Sequence, residues 1–184
     1  MKRLFYSLFA VILFAFCHLA SADQRDPRLD ELFDQLQATN APGEGKHITN
    51  TIWEIWRITD NKIVDQYMHQ GVVAMGYGNY RVALDSFNYV TRIAPGYAEG
   101  WNKRATLFYI VGEFQRSAAD VKQTLSLEPR HFGALSGLGM IYEKTNRYEA
   151  AIKAFRNALK VNPHLTQAQQ NIDEISKRLH GNAI

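Results

Sequence analysis

The sequence predicts an all-α fold built from repeated pairs of antiparallel helices, an α-solenoid. The first observation is a period: Pro95, Pro129 and Pro163 lie 34 residues apart, and a fixed interval of about 20–50 residues is the signature of a repeat architecture. The second is the spacing of small and large apolar residues within each period, which steps by three and four as on one helix face. The third is an amphipathic segment on each flank of the repeated region.

Three units follow when the proline is placed at position 32 of each: residues 64–97, 98–131 and 132–165. Large apolar residues recur at positions 4, 11, 17 and 24, with Ala74 at position 11 of the first unit as the main exception. Small residues, which let two helices approach closely, recur at positions 8 and 20: Gly71, Ala105, Gly139, Ala83, Ser117 and Ala151. A Gly or Asn turn divides the helices of each unit, and the proline ends the second helix because it disfavours helical geometry in the preceding residue. Gly96 and Tyr97 are therefore a joint between units, and Trp101 packs in the next helix.

Two positions depart from this pattern. Position 7 is Leu138 in the third unit but holds the polar residues Gln70 and Arg104 in the first two units. Position 20 of the second unit holds Ser117, whereas the other units have alanine there. These residues indicate either looser packing or polar contacts inside the array, and we expect Arg104 to point inward and pair with an acidic residue.

Both flanks are predicted to be helical. Residues 166–184 form a C-terminal capping helix, which a repeat array needs for solubility; its apolar stripe is Leu165, Ala168, Ile172, Ile175 and Leu179. Residues 23–63 form a degenerate helix pair that covers the first repeat and starts at Asp26-Pro27. Its stripes are Leu29, Leu32, Phe33 and Leu36, then Ile48, Ile52, Ile55 and Trp56. A mobile arm is the alternative, since each stripe is short.

The first 22 residues are interpreted as a secretory signal peptide. Lys2 and Arg3 precede an apolar run over residues 4–17, and Ala20-Ser21-Ala22 is a small-residue cleavage sequence. An uncleaved anchor is the alternative, but the run is shorter than the roughly 20 apolar residues of a spanning helix. We therefore expect an exported protein, periplasmic or secreted, with no membrane span after cleavage.

Cleavage changes what the composition implies. It removes two of the 21 basic residues and none of the 18 acidic ones, so the net charge falls from +3 to +1. A nucleic-acid-binding protein would need clustered positive charge, and we expect no nucleic-acid partner. The single cysteine, Cys17, leaves with the signal, so the mature chain has no disulfide, thiolate metal site or cysteine nucleophile.

The repeat resembles the tetratricopeptide repeat (TPR) family, whose pattern W-x2-L-G-x2-Y…A-x3-F…P is met best in the third unit. The matching residues there are Leu138, Gly139, Tyr142, Ala151, Phe155 and Pro163, and the second unit adds Trp101, Phe108 and Pro129. The resemblance covers residues 64–165. It implies a non-enzymatic interaction scaffold or adaptor, here in the cell envelope, whose concave groove takes a partner peptide or helix. A structural or self-assembling subunit of an envelope complex is the alternative, with a homo-oligomer left open.

In this family the first helix of each pair lines the groove, which identifies candidate partner contacts here. They are Met68, Val72, Met75, Asn102, Lys103, Thr106, Tyr109, Ser136, Met140, Gln167, Gln170 and Asn171. Methionine adapts to varied partners, and side-chain amides bond a peptide backbone. For Asn102 and Lys103, a solvated helix face is the alternative.

One family ligand is not expected. The carboxylate clamp that holds acidic C-termini in chaperone adaptors uses several basic and amide residues at fixed groove positions. The equivalent positions here hold Met68, Val72, Gly133 and Gly137, and only Lys103 is basic.

Enzymatic motifs are missing or incomplete. Residues 43–47 resemble a phosphate loop, but the upstream glycine is absent and His47 replaces the Ser or Thr that would bind magnesium. The other mature-chain histidines, His69, His131, His164 and His180, are scattered without the paired spacing of a zinc site. We therefore expect no catalysis, no cofactor and no metal.

Overall fold

The computed structural model describes Gln24 and residues 26–181 of the chain. Within these residues the chain forms nine α-helices and no strand, with bounds α1 Arg28–Ala38, α2 Pro42–Arg57, α3 Lys62–Gly76, α4 Tyr80–Ile93, α5 Ala98–Ile110, α6 Phe114–Leu127, α7 Phe132–Lys144, α8 Tyr148–Val161 and α9 Thr166–Gly181. Helices α3 to α8 form three antiparallel pairs stacked in chain order. The predicted all-α solenoid is confirmed, whereas the predicted signal peptide lies outside the described residues.

Each pair turns at a residue with a left-handed backbone. Gly78, Gly112 and Asn146 have φ angles of 73°, 80° and 57°, and all three fall at position 15 of their units. Glycine adopts this conformation without steric cost, and asparagine tolerates it better than most residues. The edge of the array that carries these three residues is called the turn edge below.

The helices of a pair touch where the sequence predicts. A Cβ atom added at Gly71 would lie 2.5 Å from the ring of Phe87, and one at Gly139 would lie 2.7 Å from the ring of Phe155. Both rings are fully buried. Glycine at position 8 therefore makes room for the aromatic residue at position 24.

Two of the three departures from the repeat pattern, Arg104 and Ser117, make polar contacts inside the array. Arg104 donates two hydrogen bonds to the Asp120 carboxylate, at 2.7 and 2.8 Å, and further bonds to Asn88 and Thr91 of the preceding repeat. Ser117 Oγ donates to the Ala105 carbonyl oxygen at 2.7 Å. The inward pairing expected of Arg104 is confirmed.

Helix α9 caps the array as predicted. Ala168, Ile172 and Ile175 are buried against Ala151 and Phe155 of α8, with Leu165 and Leu179 packed beside them. At the other end of the array, Gln70 is exposed and lines an open groove between α3 and α4 with Tyr67 and Val82, so its polar side chain is solvated there.

Helices α1 and α2 form a strap across the loop edge, the side of the array that carries the loops between repeats. Helix α1 runs along these loops. Gln24 Nε2 donates to the Gly96 carbonyl oxygen, Arg130 pairs with Asp30 at 2.7 Å, and Gln37 donates to the Val161 carbonyl oxygen at 2.7 Å.

Helix α2 returns along the same loops in the opposite direction. Asn162 donates to Thr49 Oγ1 at 3.0 Å, Trp53 packs against Phe132, and Tyr97 Oη donates to the Arg57 carbonyl oxygen at 3.2 Å. A Cβ added at Gly45 would lie 2.4 Å from the His164 ring, so α2 approaches the last loop closely.

The predicted helix pair and both apolar stripes are present, but the expected position over the first repeat is wrong. The stripes bury Leu29, Phe33, Leu36, Ile48, Ile52, Ile55 and Trp56 against Phe132, Val161 and Leu165. These three partners belong to the third repeat and the loop after it. A mobile arm does not describe the strap either, because α1 and α2 hydrogen-bond to all three inter-repeat loops.

Candidate partner-binding groove

The first helices of the three repeats, α3, α5 and α7, lie next to one another and present the predicted contacts to different extents. Five of the predicted contacts have exposed side chains: Val72, Thr106, Met140, Gln167 and Gln170. Five are half-buried, namely Met75, Lys103, Tyr109, Ser136 and Asn171, and two are buried, namely Met68 and Asn102. Met68 belongs to the core of the first repeat and is 7% exposed, which leaves almost none of it for a partner. Binding by the remaining residues stays a prediction.

The structure brings four of these residues, Asn102, Thr106, Tyr109 and Met140, together with their neighbours in one cleft between α5 and α7. The cleft encloses about 70 Å³ and is lined by Asn102, Ala105, Thr106, Tyr109, Ser117, Val121, Gly133, Gly137 and Met140. A Cβ added at Gly137 would meet no atom within 4 Å, so this glycine keeps the cleft open. Ser136 and the α9 residues are not part of the cleft.

The strap closes the cleft at the loop edge. A Cβ at Gly133 would lie 2.6 Å from the Trp53 ring of α2, and Lys103 Nζ lies 5.7 Å from the centre of that ring. This distance is within the range of a cation–π contact. A ligand in the cleft can therefore extend only toward the turn edge, past Thr106, Tyr109 and Met140.

A buried polar cluster stands behind this closed end. Glu99 is completely buried; its Oε2 accepts from Asn102 Nδ2 at 2.7 Å and lies 3.1 Å from His131 Nε2, and its Oε1 lies 3.0 Å from Lys103 Nζ. Because His131 Nδ1 accepts a bond from the Ala134 N–H at 3.1 Å, its Nε2 carries the proton and donates to Glu99. Asn102 and Lys103 are thus occupied by Glu99, which favours neither interpretation offered from the sequence.

Two pKa shifts accompany this geometry. Burial alone would raise the pKa of Glu99, but the hydrogen bond from His131 and the charge of Lys103 outweigh it and lower the pKa from 4.5 to about 2. Glu99 is therefore a buried carboxylate at neutral pH. Burial, helped by the charge of Glu143, raises the pKa of Tyr109 above its ordinary value, so this phenol stays neutral and available as a hydrogen-bond donor.

The sequence placed Glu99 on the groove face of α5 but did not indicate its burial, and sequence reasoning missed His131 and Trp53 as structural residues of the groove. A signal for the docked strap exists at position 34 of the repeat. Tyr97, His131 and Leu165 occupy this position, and each contacts α2 or its core: Tyr97 bonds the Arg57 carbonyl oxygen, the His131 ring stacks on Trp56 at 4.3 Å, and Leu165 joins the strap cluster. A row of large residues at one position beside the loops indicates that something covers the loop edge.

Neither a metal-binding cluster nor a bilayer-spanning helix occurs in the described part of the chain. Within residues 26–181, no group of three or more His, Cys, Asp or Glu side chains is placed to hold a metal ion. No helix in the described region combines the length and the apolar character that a bilayer span needs.

The repeats of this chain are similar to those of known proteins. The family model described as tetratricopeptide repeat matches residues 133–165. A TPR repeat-containing protein of Rhizobium etli is 33% identical over 155 residues, which cover 84% of this chain and 76% of that protein. Several other curated relatives match this chain over less than half of their own length.

Solved structures agree in fold. The first TPR of Spaghetti (RPAP3), bound to the HSP90 peptide SRMEEVD, has a TM-score of 0.62 at 20% identity and covers 66% of this chain and 96% of that one. MamA has a TM-score of 0.60 at 19% identity and covers 84% of this chain and 82% of that one. Because the Rhizobium protein is similar along most of its length and the three helix pairs stack in the predicted phase, the chain belongs to the tetratricopeptide repeat family.

Proposed function

We propose that this protein is a non-enzymatic scaffold that binds a segment of a partner protein in the cleft between α5 and α7. TPR proteins are protein-interaction scaffolds, and the cleft is the observation that supports this particular site. Its floor is made of Ala105 and Gly137, and its open end carries Met140, which is 37% exposed, and the neutral phenol of Tyr109.

The cleft suits an aliphatic side chain on an extended peptide or a short helix. Its walls are mostly apolar or small, and the flexible thioether of Met140 adjusts to the shape of an apolar group. Thr106 and Tyr109 add hydroxyl groups at the rim, which can bond the peptide backbone of the partner. The anchoring side chain would enter between the two helices and the peptide would leave toward the turn edge.

An acidic C-terminus of the kind bound to RPAP3 is not the ligand we propose. At the positions where a carboxylate clamp would stand, Met68 is buried, Gly133 is covered by Trp53, and Lys103 is paired with Glu99 at 3.0 Å. No free cation of the cleft is therefore placed to pair with a terminal carboxylate, within the residues that the structure describes.

We also propose that the scaffold acts outside the cytoplasm, as an adaptor in the cell envelope. The support is the order of a basic start, an apolar run and Ala20-Ser21-Ala22 in the first 22 residues. Mass spectrometry of the protein isolated from fractionated cells tests this. A periplasmic or secreted form that begins at Asp23 is expected, whereas an intact N-terminus in the cytoplasmic fraction would contradict it.

The binding proposal is tested with a variant that fills the cleft. Gly137→Leu places a side chain in the open space above Gly137, and Gly43→Leu adds the same side chain on α2, where a Cβ also meets nothing within 4 Å. Tagged proteins would be used to capture partners from an extract of the producing cells, with mass spectrometry and light scattering as readouts.

We expect a partner that is captured by the wild type and by Gly43→Leu but lost with Gly137→Leu. We expect Gly137→Leu to weaken the affinity tenfold or more, about 1.4 kcal/mol, because the partner's aliphatic side chain and the new leucine cannot occupy the same space. A partner retained equally by all three proteins would contradict the cleft as the site. A stable oligomer that Gly137→Leu dissociates, with no other partner, would instead favour self-assembly.

A further inference from the structure

A second apolar groove lies at the turn edge between the first and second repeats. It encloses about 300 Å³ between α4, the end of α5 and the start of α6. Leu107 and Phe108 form its floor and are buried, while Tyr80 and Val111 stand at its walls and are 40% and 43% exposed. None of these residues lines the cleft between α5 and α7.

Arginines stand on the rim of this groove. Arg116 lies over the Phe108 ring at 4.0 Å and makes no ion pair or hydrogen bond with any residue that the structure describes. Arg81 is 4.0 Å from Asp85, and both side chains are well exposed, so this pair holds the arginine only weakly. Glu113 is the carboxylate on the same rim. Arg116 is therefore a cation already oriented over an apolar floor, with its charge uncompensated.

The repeat provides an internal comparison. One period later, Arg81, Val111 and Arg116 are replaced by Gln115, Thr145 and Ala150. The third repeat makes the same turn, with Asn146 at the left-handed position of Gly112. The repeat architecture thus does not require an exposed valine or a pair of arginines at this place.

We propose that this turn-edge groove is a second docking surface, which binds a partner segment carrying an aliphatic side chain next to a carboxylate. The aliphatic group would rest against Leu84, Tyr80 and Val111, the apolar lining residues that keep exposed surface. The carboxylate would accept charge-assisted hydrogen bonds from Arg116, which are stronger than bonds between neutral groups. The chain would then hold two segments at once, one in the cleft and one at the turn edge.

The test is an NMR titration of the 15N-labelled protein with two capped peptides at up to millimolar concentration. One is Gly-Ser-Glu-Leu-Leu-Glu-Ser-Gly, and the other has lysine at both glutamate positions. We expect the acidic peptide to shift the amide signals of Leu84, Val111 and Arg116, and to bind about tenfold more tightly than the basic one, as a charge-assisted contact predicts.

Charge-reversal variants test whether the acidic peptide binds at the turn-edge groove. Arg116→Glu lies in the first turn of α6, where an acidic residue suits the helix dipole, so the fold is kept; it should reverse the preference between the peptides. Arg156→Glu makes the same charge change on exposed α8 and should leave the titration unchanged, as should the cleft variant Gly137→Leu. Three results would each overturn the proposal: equal binding of both peptides, shifts confined to Thr106 and Gly137, or no shift at the turn edge. None of these results would decide whether the cleft between α5 and α7 binds a partner, which the Gly137→Leu capture experiment tests separately.

Discussion

At the scale of single residues, the groove depends on a carboxylate that no ligand could reach. Glu99 has almost no exposed surface; its Oε2 is hydrogen-bonded by Asn102 and His131, and its Oε1 is ion-paired with Lys103 without a hydrogen bond. A buried charge is tolerated only when it is paired and hydrogen-bonded, and the loss of one partner is costly. The sequence places Glu99 on the groove face of α5, but its partner His131 lies in the next inter-repeat loop and is stacked on Trp56 of the strap, which is distant in sequence. The pairing of Arg104 was predictable because its repeat position is internal.

The pH dependence of stability follows from Glu99. Its folded pKa is lowered to about 2 from 4.5, so it contributes stability that is fully present above about pH 4.5 and is lost as pH falls toward 2, about 3 kcal/mol in all. Glu99→Gln should therefore lower the free energy of unfolding by about 3 kcal/mol at pH 7 and by much less near pH 2. Urea unfolding followed by tryptophan fluorescence measures both values.

The exposed Glu54→Gln on α2 serves as the control for this comparison and should change the unfolding free energy by less than about 0.5 kcal/mol at either pH. If the deficit of Glu99→Gln were the same at pH 7 and near pH 2, the depressed pKa would be wrong.

At the scale of elements, alanine substitutions at two glycines of α7 distinguish the effect of packing from the effect of intrinsic helix preference on stability. Alanine is favoured over glycine inside a helix by about 1 kcal/mol. Gly137→Ala meets no neighbour within 4 Å, whereas Gly139→Ala places its Cβ 2.7 Å from the Phe155 ring. We expect Gly137→Ala to stabilise the protein by about 0.5–1 kcal/mol and Gly139→Ala to destabilise it by about 1–3 kcal/mol. Thermal or urea unfolding of the two variants decides this, and equal effects would mean that the repeat phase is wrong.

The strap offers a second matched pair. Gly45→Ala favours the helix α2 itself but would bring a Cβ within 2.4 Å of the His164 ring, while Gly43→Ala meets nothing. Hydrogen exchange should show faster exchange of the α1 and α2 amides in Gly45→Ala, by about tenfold for a loss of roughly 1.4 kcal/mol of docking. Gly43→Ala should leave exchange unchanged. Unaltered protection in Gly45→Ala would mean that the strap does not dock on the last loop.

The helices of the strap could be predicted from sequence, but their place in the fold could not. An apolar stripe such as Leu29, Phe33 and Leu36 indicates that one helix face is buried, but it does not indicate which surface covers that face. Within the array, by contrast, each helix has a neighbour fixed by the period of 34. The repeats and the cap were therefore predictable in detail, whereas the docking of α2 near Gly133 depends on contacts far apart in sequence.

At the scale of the whole molecule, the strap decides how the groove can be used. Open TPR arrays present the full length of their inner helices, but here Trp53 covers the loop-edge end at Gly133. Between α5 and α7, the accessible part of the groove is therefore the end near Thr106, Tyr109 and Met140. The groove-lining positions followed from the family resemblance, while the subset that stays open depends on the strap and was not visible in the sequence.

The most direct test of this account is site-specific photocrosslinking in the producing cells. A photoreactive benzoylphenylalanine would replace Thr106, exposed at the cleft, or Lys122, exposed on α6. The account predicts a defined crosslink to a partner protein from position 106 that is absent from position 122 and is suppressed when Gly137→Leu is added. A crosslink that forms at position 106 regardless of Gly137→Leu, or only at position 122, would contradict the cleft as the binding site.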